Sequence, residues 1–374
     1  MLSSFQVKNF KVVRDSGPLR FGPLTVLIGN NGSGKSSLIE ALETYQRIVS
    51  HGLDDAIQRF MGMEHVHNKR AKDDTPIDFS LKIRGPFGPT RLTMKIASDS
   101  SRNQYAIVDE RVESKEHLIL GSWASHEQAL FKKRWSQGMS MLGSTVHLYE
   151  YSNQVESWQF LSLAPDRMGY PLPKKRTGGA VRLARDGSNI AEFLLELREA
   201  DQVVLEGIIE ALTFVLPYAR DLQPAITSEL ERKAWLQLSE ANFKVPGWML
   251  STGTLRIVAL LALLRHPTPP PLIVIEEIEN GLDPRTLGML VEEIRNAIEL
   301  KKTQVIATTH SPYFLDMLAL EHVLLVERDA SGEPKFHRPA TDKSLAAWRD
   351  RFAPGQLYVM DRLHAPARKG KARG

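Results

Sequence analysis

Residues 28–37, IGNNGSGKSS, combine glycine, lysine and serine at a spacing that suits a phosphate chain. The residues that satisfy the pattern G-x-x-x-x-G-K-S are Gly29, Gly34, Lys35 and Ser36. The segment follows the apolar run PLTVLIG and precedes the amphipathic stretch SSLIEALETYQRIV. Bound phosphates would therefore lie at a helix N-terminus, where unpaired N–H groups and the helix dipole favour negative charge. A glycine-rich turn without a ligand is the alternative, and the placement between strand and helix argues against it.

The stretch PLIVIEEIENGLDP supplies acidic residues of the kind that phosphate chemistry with a metal ion needs. Leu272–Ile275 form an apolar strand that ends in Glu276 and Glu277. Consecutive strand residues point to opposite faces, so only one of the two carboxylates can face a metal ion. We predict that Glu276 and the Ser36 hydroxyl ligate Mg²⁺, and that Lys35 contacts the β- and γ-phosphates. Glu277 is then the general base for an attacking water.

Two further segments carry residues that suit a phosphate site. The stretch WMLSTGTLRIVALLALL places Ser251, Thr252 and Gly253 at the start of an apolar helix, a second N-terminus that can bind phosphate. A simple helix cap at Ser251 or Thr252 explains the same residues. After NGLDP, residues 280–284, the strand TQVIATT delivers His310 at its end. Ligands gather at the carboxyl ends of parallel strands, which makes His310 a further candidate.

The hydrophobic pattern predicts the elements that must position these residues. The first fifty residues indicate strand, turn, strand, phosphate loop and helix. Alternating runs then predict antiparallel strands at IDFSLKI, TRLTMKIA, QYAIVDERV and TVHLYEY, with a helical break near EQALFKKRW. After a Pro-, Gly- and basic-rich boundary at 165–187, IAEFLLELREADQVVLEGIIEALTFVL has helical periodicity. The C-terminal third alternates apolar strands with helices, which indicates a parallel sheet covered on both faces.

Composition and charge exclude several classes of protein. The 374 residues are 42% hydrophobic and 25% charged, as in a soluble globular chain. The absence of cysteine excludes disulfides and thiolate metal sites. The longest aliphatic run, IVALLALL, is too short to span a bilayer, so we expect a cytoplasmic protein with no membrane partner. The net charge of +4 is matched by the four basic residues of the last stretch, Arg368, Lys369, Lys371 and Arg373.

In this order, the motifs resemble those of ABC-type ATPases, and more narrowly of the prokaryotic OLD/RecF-like branch that is related to SMC proteins. The resemblance is carried by FQVKNFK, IGNNGSGKSSLIEAL, LSTGTLRIVALLALL, IVIEEIENGLDP and VIATTHSPYFLD. It implies an α/β fold, an ABC-type P-loop ATPase head with a mixed or parallel core sheet, an antiparallel β-subdomain and a helical insertion. We assign the head to residues 1–364, in four parts: 1–50 (Walker A half), 51–165 (antiparallel β-rich lobe), 166–249 (loop and helical insertion) and 250–340 (signature, Walker B, D-loop and switch-histidine half). Residues 365–374 are predicted to be a basic disordered tail.

The resemblance also implies a role for each motif. The Walker A residues are Gly29, Asn30, Asn31, Gly32, Ser33, Gly34, Lys35, Ser36 and Ser37. The signature is at Leu250–Thr254, Walker B at Glu276 and Glu277, the D-loop at Asp283 and the switch histidine at His310. Two positions depart from the transporter pattern, since Glu276 stands where transporters have Asp and LSTGT replaces LSGGQ. No Q-loop is secure, and Gln159 is the best candidate.

By this resemblance the cofactors are ATP and Mg²⁺, and the partner is a second copy of the chain that closes around ATP, with higher oligomers allowed. Two functions remain open. In the first, the chain is the ATPase subunit of a bacterial anti-phage or DNA-repair complex that acts with a separate nuclease or effector, with DNA as a further partner. In the second, it is a slow-turnover, ATP-loaded scaffold that holds and releases an effector without acting on DNA. Glu327 and Asp329 resemble the start of a TOPRIM nuclease domain, but too few residues follow them for that fold.

Overall fold

The structure is a computed structural model that describes all residues except 73, 86–87, 100–103, 115–137, 141, 143–145, 175–179, 229–230, 301–302 and 364–374. The chain forms two compact units, which we call unit 1 and unit 2. Unit 1 contains Met1–Ser157 and Thr308–Gly374, and unit 2 contains Trp158–Ala307. The division therefore falls outside the Pro- and Gly-rich stretch that the sequence indicated as a boundary. The predicted helix near EQALFKKRW and the predicted basic tail lie outside the described residues.

The described residues form sixteen strands and ten α-helices, together with six short 3-10 helices. The strands are β1 (Leu2–Phe10), β2 (Val13–Asp15), β3 (Leu19–Arg20), β4 (Leu24–Ile28), β5 (Ile77–Gly85), β6 (Gly88–Asp99), β7 (Gln104–Ser114), β8 (Gln159–Leu161), β9 (Leu172–Pro173), β10 (Ala219–Ile226), β11 (Lys233–Glu240), β12 (Phe243–Pro246), β13 (Ile273–Ile275), β14 (Val305–Thr309), β15 (Val323–Arg328) and β16 (Pro334–His337). The helices are α1 (Lys35–His51), α2 (Leu53–Gln58), α3 (Val146–Glu156), α4 (Ile190–Ala200), α5 (Gln202–Val215), α6 (Thr252–Leu264), α7 (Pro284–Glu299), α8 (Pro312–Asp316), α9 (Ala346–Arg349) and α10 (Pro354–Val359).

Unit 1 contains an antiparallel sheet in the order β2-β1-β5-β6-β7, with β3 also paired to β1. Its strands alternate as the sequence predicts, because every second side chain of a strand faces the core. In β5, Phe79 is buried and pairs with Val7 of β1 and Met94 of β6. The prediction of antiparallel strands in this part of the chain is confirmed for IDFSLKI, TRLTMKIA and QYAIVDERV.

A second group of strands in unit 1 leads into the phosphate loop. All five residues of β4 are buried, and β4 runs parallel to β15, with Ile28 opposite Leu325. Strand β16 then pairs antiparallel to β15. Helix α1 begins at Lys35 directly after the loop and buries an apolar face that includes Leu38 and Leu42. The strand-loop-helix order predicted for the motif is therefore confirmed.

Unit 2 contains parallel strands and helices of the kind predicted for the C-terminal third. In β13, Val274 pairs in parallel with Phe160 of β8 and with Ile306 of β14. Strands β10, β11 and β12 form a separate antiparallel sheet, with β9 paired to β11. The predicted helical stretch is divided at Asp201, which caps α5 by accepting hydrogen bonds from two backbone N–H groups. Within the described residues, no helix is both long and apolar enough to cross a membrane.

The prediction of a strand at TVHLYEY is wrong, because α3 covers most of this segment. Its buried residues Leu148, Tyr151 and Val155 are spaced three and four apart, which is the period of a helix. The Tyr151 hydroxyl is buried and hydrogen-bonded to Thr90 Oγ1 at 3.0 Å. The short alternation of apolar and polar residues at the start of the segment fits both periods, so it could not distinguish a strand from a helix.

The Tyr151 contact predicts a measurable contribution to stability. Replacing Tyr151 by Phe removes the hydroxyl that pairs with Thr90 in the core, and we expect the free energy of unfolding to fall by about 1 kcal/mol. Tyr149 lies on the exposed side of α3, with 59% of its surface accessible, so Tyr149→Phe is the matched control and should have no effect. Thermal unfolding of both variants tests this, and equal melting temperatures would contradict the packing of α3.

Candidate phosphate-loop site

The phosphate loop is held by a lysine that folds back over it. Lys35 is only 6% exposed, and its Nζ donates hydrogen bonds to the carbonyl oxygens of Gly29 at 2.6 Å and Asn30 at 3.1 Å. These bonds fix a positive charge against the turn of the loop. Because a buried ammonium is costly unless its hydrogen bonds are satisfied, the position of Lys35 depends on this carbonyl geometry.

The loop also packs so closely against β15 and β16 that two of its positions have no room for a side chain. A Cβ atom at Gly29 would lie 2.0 Å from the carbonyl oxygen of Val326, which no real contact allows. Gly34 has φ +117°, and a Cβ there would lie 2.9 Å from Pro334 Cγ. The two glycines of the motif are thus required by tertiary packing as well as by the backbone conformation.

One buried hydroxyl of the loop has no hydrogen-bond partner in the described part of the chain. Ser33 is 4% exposed, and its Oγ is unsatisfied. A buried polar atom of this kind costs free energy unless a partner is supplied, and a phosphate oxygen is a suitable partner. The orphaned hydroxyl, the lysine and the glycine contacts together fit a phosphate group.

A cavity of about 780 Å³ opens beside the loop, within the size range of small-molecule sites. Its lining comprises five loop residues, three residues from the end of β15 and three from the region of α10, namely Gly29, Asn30, Asn31, Gly32, Ser33, Val326, Glu327, Arg328, Tyr358, Val359 and Asp361. Arg328 Nε donates to the Gly32 carbonyl at 2.7 Å, which adds a second cation at the loop. The α10 side of this cavity was not predicted from the sequence.

The remaining predicted residues of unit 1 lie at the ends of elements. Ser36 is exposed in the first turn of α1, and Ser37 is half-buried beside it. His310 is exposed and directly follows β14. Ser311 caps α8 by accepting a hydrogen bond from the backbone N–H of Phe314 at 3.2 Å. The roles of Ser36, Ser37 and His310 toward a ligand remain predictions.

In unit 2, the acidic pair lies directly after β13 as predicted, but both residues have protein partners. Glu276 Oε1 is 2.6 Å from Arg185 Nη2, so this carboxylate forms an ion pair. Glu277 has φ +49°, in the left-handed region that residues with a Cβ rarely adopt. Its Oε2 is 3.4 Å from the side-chain nitrogen of Asn280. Backbone strain of this kind is concentrated at functional sites, which supports Glu277 as a site residue.

Arg256 supports the backbone at Glu277 and was not identified from the sequence. It is 3% exposed, and its two terminal nitrogens donate to the carbonyls of Leu163 at 2.9 Å and Glu277 at 2.8 Å. Burial lowers the pKa of Arg256, and the negative charges of Glu277 and Glu279 partly offset this. A charged residue inside the apolar helix TLRIVALLALL is the signal that could have indicated this role.

The signature residues both cap a helix and contact the D-loop segment. Ser251 Oγ accepts a hydrogen bond from the backbone N–H of Thr254 at 3.1 Å, so the helix-cap explanation holds for Ser251. A Cβ at Gly253 would lie 2.5 Å from the carbonyl oxygen of Gly281, which brings the two motifs together within unit 2. Asp283 caps α7, and its hydrogen bond from the Thr286 hydroxyl is the main cause that lowers its pKa.

Gln159 does not have the position expected of a Q-loop residue. It is the first residue of β8, opposite Ile273 of β13, and so lies at the amino end of these parallel strands. Its side-chain amide is buried and donates to the Leu183 carbonyl at 2.8 Å. Ligands gather at the opposite, carboxyl ends of parallel strands, so this geometry does not favour Gln159 as a ligand-sensing residue.

Comparison with known proteins assigns a family. Residues 24–316, more than half of the chain, match the family described as "AAA domain, putative AbiEii toxin, Type IV TA system". The chain belongs to this AAA-domain family. Over 384 residues this AAA-domain protein is 23% identical to the OLD nuclease of Thermus scotoductus, covering 96% of the chain and 68% of that relative.

Solved structures agree with this family at the level of the fold. The chain resembles an SmcHead bound to the C-winged helix domain of ScpA, with a TM-score of 0.59 and 13% identity over 90% of this chain and 96% of the other. It also resembles the Smc head domain with a coiled coil and joint from Pyrococcus yayanosii, with a TM-score of 0.53 and 9% identity over 90% and 96% of the two chains. The predictions of an ABC-type P-loop ATPase fold and of a relationship to OLD and SMC proteins are confirmed.

The Arg256 contacts predict that replacing Arg256 lowers stability, whereas replacing an exposed arginine does not. Arg256→Met keeps an unbranched side chain but leaves the Leu163 and Glu277 carbonyls without this partner, so we expect unfolding to become easier by about 1–3 kcal/mol. Arg285 is exposed in the first turn of α7, and Arg285→Met is the matched control. Thermal unfolding compares the two, and equal stability of both variants would show that Arg256 does not support the segment.

Proposed function

We propose that this AAA-domain protein binds and hydrolyses ATP, and that two copies close around it. The observation that carries the proposal is the loop between β4 and α1, where the charge of Lys35, the orphaned Ser33 hydroxyl and the close contacts of Gly29 and Gly34 meet beside one cavity. These features suit a polyphosphate more than an uncharged ligand.

The residues of the chain have separate roles in this proposal. Ser36 and Glu276 would each supply an oxygen ligand to Mg²⁺, which would neutralise phosphate charge when it is bound. Lys35 stabilises charge on the terminal phosphates, and Glu277 orients water and accepts its proton. His310 adds a polar contact at the end of β14. The signature residues Ser251, Thr252 and Gly253 and the D-loop residue Asp283 act toward the ATP of the second copy.

For the biological role, we propose the ATPase subunit of a bacterial anti-phage or DNA-repair complex that works with a separate nuclease or effector, with DNA as a further partner. Two comparisons support this role. The relative in Thermus scotoductus is named as a nuclease and is longer than the part that aligns. The solved SMC head is bound to a domain of another protein, ScpA.

A second candidate function is a slow-turnover scaffold that holds an effector in the ATP-loaded state and releases it. The ion pair between Arg185 and Glu276 favours this candidate, because Arg185 competes for the carboxylate that the reaction needs. ATP turnover that DNA stimulates, with salt-dependent DNA affinity, supports the first role. Very slow turnover with a stable oligomer and no DNA affinity supports the scaffold.

The dimer is tested with Glu277→Gln, which removes the proposed base while keeping the shape of the side chain. We expect this variant to bind ATP without hydrolysing it, so that the closed dimer accumulates. Light scattering with and without ATP and Mg²⁺ measures the mass, which should double on ATP addition. A mass that ATP leaves unchanged contradicts closure around ATP, and a large constant mass favours the scaffold.

The same measurement with Glu277→Gln combined with Ser251→Arg separates binding from closure. The arginine is too large for the contact at the signature, so we expect ATP binding to persist while the mass stays that of one copy. If the double variant forms the dimer equally well, the signature residues are not part of the dimer interface.

A further inference from the structure

The cavity beside the phosphate loop has two chemically different ends. Its loop end presents backbone groups, the unsatisfied Ser33 hydroxyl and the nearby cations Lys35 and Arg328. Its far end presents an aromatic ring and acidic side chains, with the lining residues Glu327, Tyr358, Val359 and Asp361. A ligand with one charge along its whole length does not match both ends.

The far end is a fixed part of unit 1. Asp316, the last residue of α8, accepts hydrogen bonds from the backbone N–H groups of Gly355 at 2.7 Å and Gln356 at 3.2 Å. A Cβ at Gly355 would lie 1.9 Å from the carbonyl oxygen of Pro312, so α10 packs directly on α8. Leu357 is fully buried beneath it. The ring of Tyr358 is therefore carried by an anchored helix.

Tyr358 also links the two ends of the cavity. Its hydroxyl is 3.4 Å from Asn30 Oδ1 on the phosphate loop. Burial raises the pKa of Tyr358, and the negative charges of Glu327 and Asp361 raise it further. Val359, which is 70% exposed, adds an apolar residue to the lining.

The chemistry of the far end suits a nucleoside. Carboxylates repel phosphate but accept hydrogen bonds from hydroxyl groups, as acidic residues do from ribose in other nucleotide sites. An aromatic ring and an apolar side chain offer a surface to a planar base. We propose that Tyr358, Val359 and Asp361 form the nucleoside subsite of this cavity, with Tyr358 and Val359 against the base and Asp361 accepting from the ribose hydroxyls. This inference rests on the proposed binding of ATP.

The test compares ATP with inorganic tripolyphosphate, which has the phosphates but no nucleoside. Calorimetric titration measures both ligands, with Mg²⁺, on the wild-type chain and on Tyr358→Ala. Since loss of one stacking contact is worth about 1–3 kcal/mol, we expect ATP binding to weaken by about tenfold or more. Tripolyphosphate binding should not change. Tyr358→Phe keeps the ring and should bind ATP nearly as the wild type does.

Asp361 is tested with a substitution that suits its left-handed backbone conformation. Its φ is +59°, so Asp361→Gly removes the carboxylate without straining the chain. We expect the wild type to prefer ATP over 2′,3′-dideoxy-ATP and the variant to lose that preference. Tyr149→Ala, on the exposed side of α3, is the control for removal of a tyrosine and should bind both ATP and tripolyphosphate like the wild type.

The outcomes distinguish this inference from the proposed function. Wild-type protein that binds neither ATP nor tripolyphosphate overturns the proposed function, and the subsite with it. Wild-type protein that binds ATP no better than tripolyphosphate overturns the subsite alone. Equal weakening of both ligands by Tyr358→Ala shows that Tyr358 only supports the loop, and unchanged ATP binding shows that the base lies elsewhere. Either result overturns the assignment of Tyr358.

Discussion

The close approach of the phosphate loop to the end of β15 is the constraint on which the site depends. The Val326 carbonyl lies where any side chain at residue 29 would have to be, and Pro334 restricts residue 34 in the same way. The backbone can therefore turn only with glycines, and this turn aims the Gly29 carbonyl at Lys35. The same approach places the end of β15 beside the loop, where both line the cavity.

In unit 2, one buried cation, Arg256, stabilises a strained turn at Glu277. The left-handed conformation of Glu277 is sparsely populated, and Arg256 donates to the Glu277 carbonyl from within the apolar helix α6. Arg256 also binds the Leu163 carbonyl, two residues beyond β8. The two acidic residues therefore contact different arginines. Glu276 forms an ion pair with Arg185 through its carboxylate, and Glu277 accepts from Arg256 through its backbone carbonyl.

The sequence predicted the parts of the site that are contiguous in the chain. The loop pattern, its flanking strand and helix and the acidic pair could be located because each is specified by neighbours a few residues apart. The segment TVHLYEY was assigned wrongly because its short alternation fits both a strand and a helix. Only the fold shows that Leu148, Tyr151 and Val155 are buried, which is the pattern of a helix. Tyr358 could not be predicted, because its contact with Asn30 spans 328 positions. The charge of Arg256 within an apolar helix was a signal in the sequence, but its partners, the carbonyls of Leu163 and Glu277, are brought to it only by the fold.

The most direct test of the account is calorimetric titration of ATP with Mg²⁺ into the wild-type chain, Lys35→Ala and Lys82→Ala. Lys35 lies buried against the loop, whereas Lys82 is exposed on β5 and serves as a control for loss of one positive charge. We expect the wild type and Lys82→Ala to bind ATP alike and Lys35→Ala to show no measurable binding. Binding to Lys35→Ala with the affinity of the wild type would contradict the assignment of residues 28–37 as the site of the phosphates.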